Sequence, residues 1–206
     1  MMESFVVLIG SVARKDYSVG SDIDICRINS DVTINRQTDW PDGPINYIDY
    51  DTETFQHLYN IGSLFIYHIL TEGILIEGNI DSWEKLILNF SLTGNFSNEI
   101  VKILDLNEIF KKTEIFGNHY LSLFSNLFTN VKNFSIFYLA RNGIYLFNKE
   151  KAIKYTFGEY YYDLIFDAYN YFERGVINKK WNYSCKKIAI EVTNYYLSKM
   201  EALYKC

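Results

Sequence analysis

Apolar and polar positions change their spacing as the chain proceeds. Residues 4–9 (SFVVLI) form a short apolar run rich in β-branched side chains and ended by Gly10-Ser11, which predicts a buried strand feeding a turn. Asp22-Ile23-Asp24-Ile25-Cys26 alternates acidic and apolar side chains, so a second strand carries Asp22 and Asp24 on one face and Ile23 and Ile25 on the other. Both prolines fall within residues 39–44 (DWPDGP), which must be a loop, and INYIDY after it predicts a third strand. Over residues 52–72 the period changes: Phe55, Leu58, Tyr59, Leu64, Phe65, His68 and Ile69 recur at helical steps. One helix is expected there, with Gly62-Ser63 as a close packing contact inside it and Gly73 as its left-handed cap. ILIE at 74–77 is a short strand or loop.

Beyond about residue 81 the chain is amphipathic and proline-free, with helices expected near 81–90, 97–111, 113–131, 133–147, 149–155, 159–174 and 181–204. The expected fold class is α+β, with a mixed α/β domain over residues 1–80 and a helical domain over 81–206. Neither a repeat nor a low-complexity linker separates them.

Composition narrows the classes of function. Of 206 residues, 49% are hydrophobic and 22% charged, as expected of a packed globular chain. A net charge of -5 counts against a protein that grips long nucleic acid through phosphates, though not against a small charged substrate. Cys26, Cys185 and Cys206 are scattered and form no CxxC pair, so neither a disulfide framework nor a zinc site is expected. The N-terminus has no basic leader, and the longest apolar stretches fall short of the roughly 18 residues a membrane span needs. A cytoplasmic protein without membrane contact is the expectation. The abundant Tyr and Phe read as core filling rather than as a stacking surface for bases.

The chemistry is concentrated in the spacing Gly10-Ser11, ten residues, Asp22-x-Asp24. A glycine lets backbone approach a phosphate closely, and Ser11 offers a hydroxyl and an N–H to phosphate oxygens. Two carboxylates on one strand face suit Mg²⁺, which takes hard oxygen ligands from one or two carboxylates plus substrate phosphates. Two such ions about 3.5–4 Å apart would activate an attacking hydroxyl and stabilise a pyrophosphate leaving group. A third carboxylate normally helps to hold the ion that activates the nucleophile. Asp49 is the candidate, with Asp51 as the fallback of the same parity.

Gly10-Ser11-Val12-Ala13-Arg14 through Ser21-Asp22-Ile23-Asp24-Ile25 resembles the DNA polymerase β-like nucleotidyltransferase superfamily, in particular its minimal and aminoglycoside-type members. The resemblance covers about residues 5–50. It implies a mixed sheet backed by helices and a Mg²⁺-dependent transfer of a nucleoside monophosphate, with ATP as the expected donor. Carried over, Gly10 and Ser11 would bind triphosphate, Asp22 and Asp24 metal, and Asp49 would complete the set as metal ligand and general base. Arg14 could meet a phosphate or anchor the turn through hydrogen bonds. Lys15 and Asp16 depart from the Gly and acidic residue that relatives commonly carry after that arginine. The helical remainder resembles the family only in architecture, as a bundle that would close over the acceptor site.

The acceptor is expected to be a small-molecule hydroxyl or a partner protein, as in toxin–antitoxin pairs. An RNA 3′ end comes third, and a non-catalytic regulatory protein is the alternative of another class. His57, His68 and His119 show no metal-ligand spacing. Arg141, the tyrosines at 160–162 and the pairs Lys179-Lys180 and Lys186-Lys187 are further candidates for substrate contact, with a solvated helix face as their default reading.

Overall fold

The computed structural model describes residues 3–18, 20–176 and 180–205; Lys179 and Cys206 lie outside them. The chain divides into two compact units, Met1–Thr93 and Gly94–Cys206.

The first unit is built on β1 (Phe5–Ile9), a single helical turn α1 (Gly10–Ala13), β2 (Ile23–Ile28), β3 (Ile45–Tyr50), α2 (Thr52–Asn60), α3 (Leu64–Glu72), β4 (Ile74–Glu77) and α4 (Ile80–Asn89). The strands form one sheet in the order β3-β2-β1-β4. β1 runs antiparallel to both β2 and β4, while β2 and β3 are parallel, so the sheet is mixed as expected. All five residues of β1 are buried, because this strand is central and covered on both faces.

Alternation along the strands sorts the side chains into two layers. Phe5, Val7, Ile9, Cys26 and Ile28 pack with Phe55, Ile66, Ile69, Leu70 and Trp83 from α2, α3 and α4. Val6, Leu8, Ile23 and Ile25 pack on the opposite face with Val12, Ala13 and Trp40, flanked by Val32 and Ile34. That second face is covered by the irregular segment between β2 and β3 instead of by long helices. A parallel connection needs a crossover of a dozen residues or more, and here side chains satisfy its backbone. Arg27 donates to the carbonyls of Asp31 and Val32, Arg36 donates to those of Pro41 and Gly43, and the Ile34 N–H donates to the Tyr47 hydroxyl.

Three expectations are corrected here. The helix expected over 52–72 is two helices, because Gly62 takes φ +68° and Ser63 starts α3, accepting from the Phe65 N–H. Gly73 is extended (φ -73°, ψ 147°) instead of left-handed; it is required because a Cβ there would fall 2.2 Å from the Ile69 carbonyl oxygen and 2.6 Å from Val7 Cγ1. The boundary between units lies at Thr93/Gly94 instead of at 80, since Trp83 of α4 is buried against Phe5 of β1, ring centroids 5.3 Å apart.

The second unit is helical: α5 (Ser97–Asp105), α6 (Asn107–Phe110), a 3₁₀ turn (Thr113–Phe116), α7 (Leu121–Arg141), α8 (Lys149–Phe157), α9 (Tyr162–Arg174) and α10 (Lys186–Lys205). The two helices expected over 113–131 and 133–147 are largely one, α7, because Val131 and Phe134 are both fully buried and the polar residues between and beside them are satisfied, Asn130 donating to Asn107 Oδ1 and Ser135 to the Val131 carbonyl. Its Leu123, Phe124, Leu127, Phe128, Val131 and Phe134 form the spine of a core that also takes Ile153, Ile165, Val192 and Tyr196. Among the described residues no helix is long and apolar enough to cross a membrane.

Candidate active site

The end of β1 and the start of β2 lie side by side, with Ile9 paired to Asp24. Gly10 follows at φ +72°, a conformation L side chains rarely adopt, and its Cα faces the Asp24 carboxylate. A Cβ at Gly10 would sit 2.7 Å from Asp24 Oδ2. The glycine expected from the motif is therefore needed twice, for its dihedral and for its missing side chain. Ser11 is partly exposed in the same turn.

Asp22 precedes β2 and is held from behind. The Ile23 N–H donates to the Pro44 carbonyl at 2.9 Å, and a Cβ at Gly43 would lie 2.1 Å from the Ser21 carbonyl oxygen and 3.0 Å from the Asp22 nitrogen. The proline-containing loop thus rests directly on the Ser21–Asp22 backbone. Ser21 is buried, and its hydroxyl accepts from the Ser18 N–H at 2.9 Å. Gly43 was not singled out in the sequence. The only local signal for it is its place between Pro41-Asp42 and Pro44, which marks a turn but not what the turn touches.

Asp49 does not join this group. In the parallel β2–β3 pair its partner is Arg27, while the partner of Asp24 is Asn46. Paired residues share a face, so Asp49 lies on the other side of the sheet, about 10 Å further along β3. There it is held by Arg27 through two bonds, Nε to Oδ1 at 2.6 Å and NH2 to Oδ2 at 2.8 Å. The hydrogen bond from Arg27 holds the Asp49 carboxyl below its ordinary range. Arg27 also lies over the Tyr47 ring, 4.3 Å from its centroid. The expectation of Asp49 as a metal ligand and base is corrected on that geometry. Asp51 is equally committed, capping α2 by accepting from the Thr54 N–H at 2.7 Å. Beside Asp24 stands Asn46, with Nδ2 3.5 Å from Asp24 Oδ1. Among the described residues no three His, Cys, Asp or Glu side chains gather as a metal cluster.

Arg14 is an anchor. Its guanidinium bonds Asp16 Oδ2 at 3.1 Å and Glu72 Oε2 at 3.2 Å, and Glu72 also meets His68 Nδ1 at 3.1 Å. Burial would raise the Glu72 carboxyl, but His68 and Arg14 together leave it below its ordinary range. Two carboxylates already occupy the arginine, so of the two readings the structure makes the anchoring one: it ties the turn to α3. Lys15 takes φ +60°, in the left-handed region that favours glycine. Cys26 is buried and is no nucleophile, since burial, with Asp49 adding, pushes its thiol up to about 12.

A cavity of about 580 Å³ lies in the same unit, lined among others by Val12, Lys15, Tyr17, Asp39, Trp40 and Ile76. It belongs to the face opposite Asp24, so this cavity and the Asp24 carboxylate do not coincide. In the second unit Arg141 lies 5.6 Å from the ring centroids of both Tyr138 and Tyr204. Tyr195 donates to the Phe157 carbonyl at 2.7 Å and receives Lys199 Nζ at 2.8 Å.

No protein-family model matches the chain, and no curated protein matches it. A solved structure, that of a nucleotidyltransferase-like protein from Exiguobacterium sibiricum, is similar to it at 13% identity and a TM-score of 0.43, covering 98% of this chain and 69% of that one. At that level the likeness assigns no residue a role, and the roles of individual residues follow from their geometry.

Proposed function

We propose that the first unit binds a nucleoside triphosphate and transfers its nucleoside monophosphate to an acceptor hydroxyl, releasing pyrophosphate. The observation that carries this reading is the contact between Gly10 and Asp24, where a methyl group would meet the carboxylate at 2.7 Å. A phosphate is approached by bare backbone, and a divalent cation by carboxylate oxygens; this turn offers both within one small volume. Gly10 and Ser11 would take phosphate oxygens, and Asp22 and Asp24 would hold one Mg²⁺, for which two hard carboxylates are a fitting donor set. When bound, the cation supplies charge neutralisation for the triphosphate and its departing pyrophosphate.

The residues themselves act by positioning. Gly43 and Ser21 fix the backbone of Asp22, Ile9–Asp24 pairing fixes Asp24, and the Arg14–Glu72 bond fixes the end of the Gly10 turn. Transfer is a single displacement at the α-phosphorus, with no covalent protein intermediate. ATP is the expected donor. The acceptor is a small-molecule hydroxyl or a partner protein, which the net charge of -5 favours over an RNA 3′ end.

The test is to incubate the protein with Mg²⁺, each α-labelled nucleoside triphosphate in turn and cell extract, then to separate protein, RNA and small molecules. Label should enter one fraction and vanish when Asp22 and Asp24 are both changed to Ala. Label in no fraction, or label indifferent to that change, contradicts the proposal.

A further inference from the structure

Resting on that reading, we infer that the site holds one divalent cation instead of two, and that Asn46 is a positioning residue for Asp24. The strand register makes the case. Asp24 pairs with Asn46 across the parallel β2–β3 ladder, so Asn46 is the β3 side chain that shares the face and level of Asp24. Its amide nitrogen stands 3.5 Å from Asp24 Oδ1. The carboxylates that follow on β3 and after it, Asp49 and Asp51, are spent elsewhere, on Arg27 and on the N-terminus of α2. Among the described residues no third carboxylate, histidine or cysteine completes a metal cluster.

Charge decides the stoichiometry. A cation on the triphosphate is held largely by phosphate oxygens, so two aspartates suffice to seat it. A second cation on the acceptor side would have to be held by protein oxygens. With a neutral amide at 46 it would share the same two aspartates with the first ion, and the repulsion between two divalent ions would go uncompensated. What the amide does provide is a donor that orients the Asp24 carboxylate. It also leaves position 46 without a general base.

The experiment counts Mn²⁺ by electron paramagnetic resonance in the presence of α,β-methylene-ATP, with nucleotide binding followed in the same samples by equilibrium dialysis. The expected result is one Mn²⁺ per bound nucleotide in the wild type. Asn46 is exposed, so Asn46→Asp should fold normally, verified by circular dichroism. It should add a second Mn²⁺, giving two per bound nucleotide. Asn46→Ala should keep the count at one and weaken it. Two ions of comparable affinity in the wild type, or a count of one that persists in Asn46→Asp, would overturn the inference while leaving nucleotide binding intact. Absence of nucleotide binding would instead remove the reading on which it rests, and the inference with it.

Discussion

Replacing Gly10 by Ala probes the contact on which the site depends. Two effects add. The backbone sits at φ +72°, where a Cβ costs about 1–2 kcal/mol, partly offset by the lower entropy of the unfolded alanine chain. The new methyl would also lie 2.7 Å from Asp24 Oδ2, and relief requires the aspartate to leave its rotamer, worth about 0.5–1.5 kcal/mol. The sum is a loss of roughly 1–3 kcal/mol. Gly20 offers an internal control, since it has φ +75° but nothing within 4 Å of a built Cβ. Gly20→Ala should show the dihedral effect alone. In urea titrations, with a slope of about 2 kcal/mol per molar, Gly20→Ala should lower the midpoint by about 0.5 M and Gly10→Ala by about 1 M. The second assay is Mn²⁺ affinity, which Gly10→Ala should weaken by about 10–100-fold through the displaced carboxylate and Gly20→Ala should leave alone. Equal midpoints for the two variants, with Mn²⁺ affinity unchanged in Gly10→Ala, would refute the reasoning.

Other substitutions test neighbouring parts of the account. Lys15→Gly should raise stability by up to about 1 kcal/mol, read as a higher urea midpoint, because Lys15 holds φ +60° where glycine is unstrained. Asp49→Asn should leave nucleotidyl transfer unchanged, because its carboxylate serves Arg27. Since Arg27 lowers the folded carboxyl, the stability it gives is present above the ordinary aspartate range and is lost as pH falls through the folded value. Wild type and Asp49→Asn should therefore differ in urea midpoint at pH 7 and converge as the pH falls below the folded value of the carboxyl. Gly43→Ala places a methyl inside the Ser21–Asp22 backbone, so it should lose roughly 1–3 kcal/mol in the same titration and weaken Mn²⁺ binding.

The parts of the site that could be read from the sequence are those fixed within one segment. Gly10-Ser11 closes an apolar strand and Asp24 alternates with buried isoleucines, and each follows from residues a few positions apart. The third position could not be read, because it depends on the register between β2 and β3. The intervening segment is irregular and is held by Arg27, Arg36 and Tyr47, whose partners are carbonyls and an amide that no pattern announces. A shift of one residue changes the face, and the parity of INYIDY offers Asn46 on one side and Asp49 on the other. The break at Gly62-Ser63 is not legible in the sequence for a similar reason. Helical periodicity continues across it, while the absence of a side chain at Gly62 is required by backbone at Ser91 and Thr93, far along the chain, which a Cβ would meet at 2.6 and 2.4 Å. The α4 boundary was hidden because an amphipathic helix does not declare which core its apolar face meets; Trp83 finds Phe5.

The most direct measurement of the central claim is equilibrium dialysis of labelled ATP against the intact protein, with and without Mg²⁺, beside a variant in which Asp22 and Asp24 are both changed to Asn and whose fold is verified by circular dichroism. The account predicts saturable binding of one nucleotide per chain that requires both the cation and the two carboxylates. Binding that persists after chelation and in the variant, or no binding by the wild type, would contradict it.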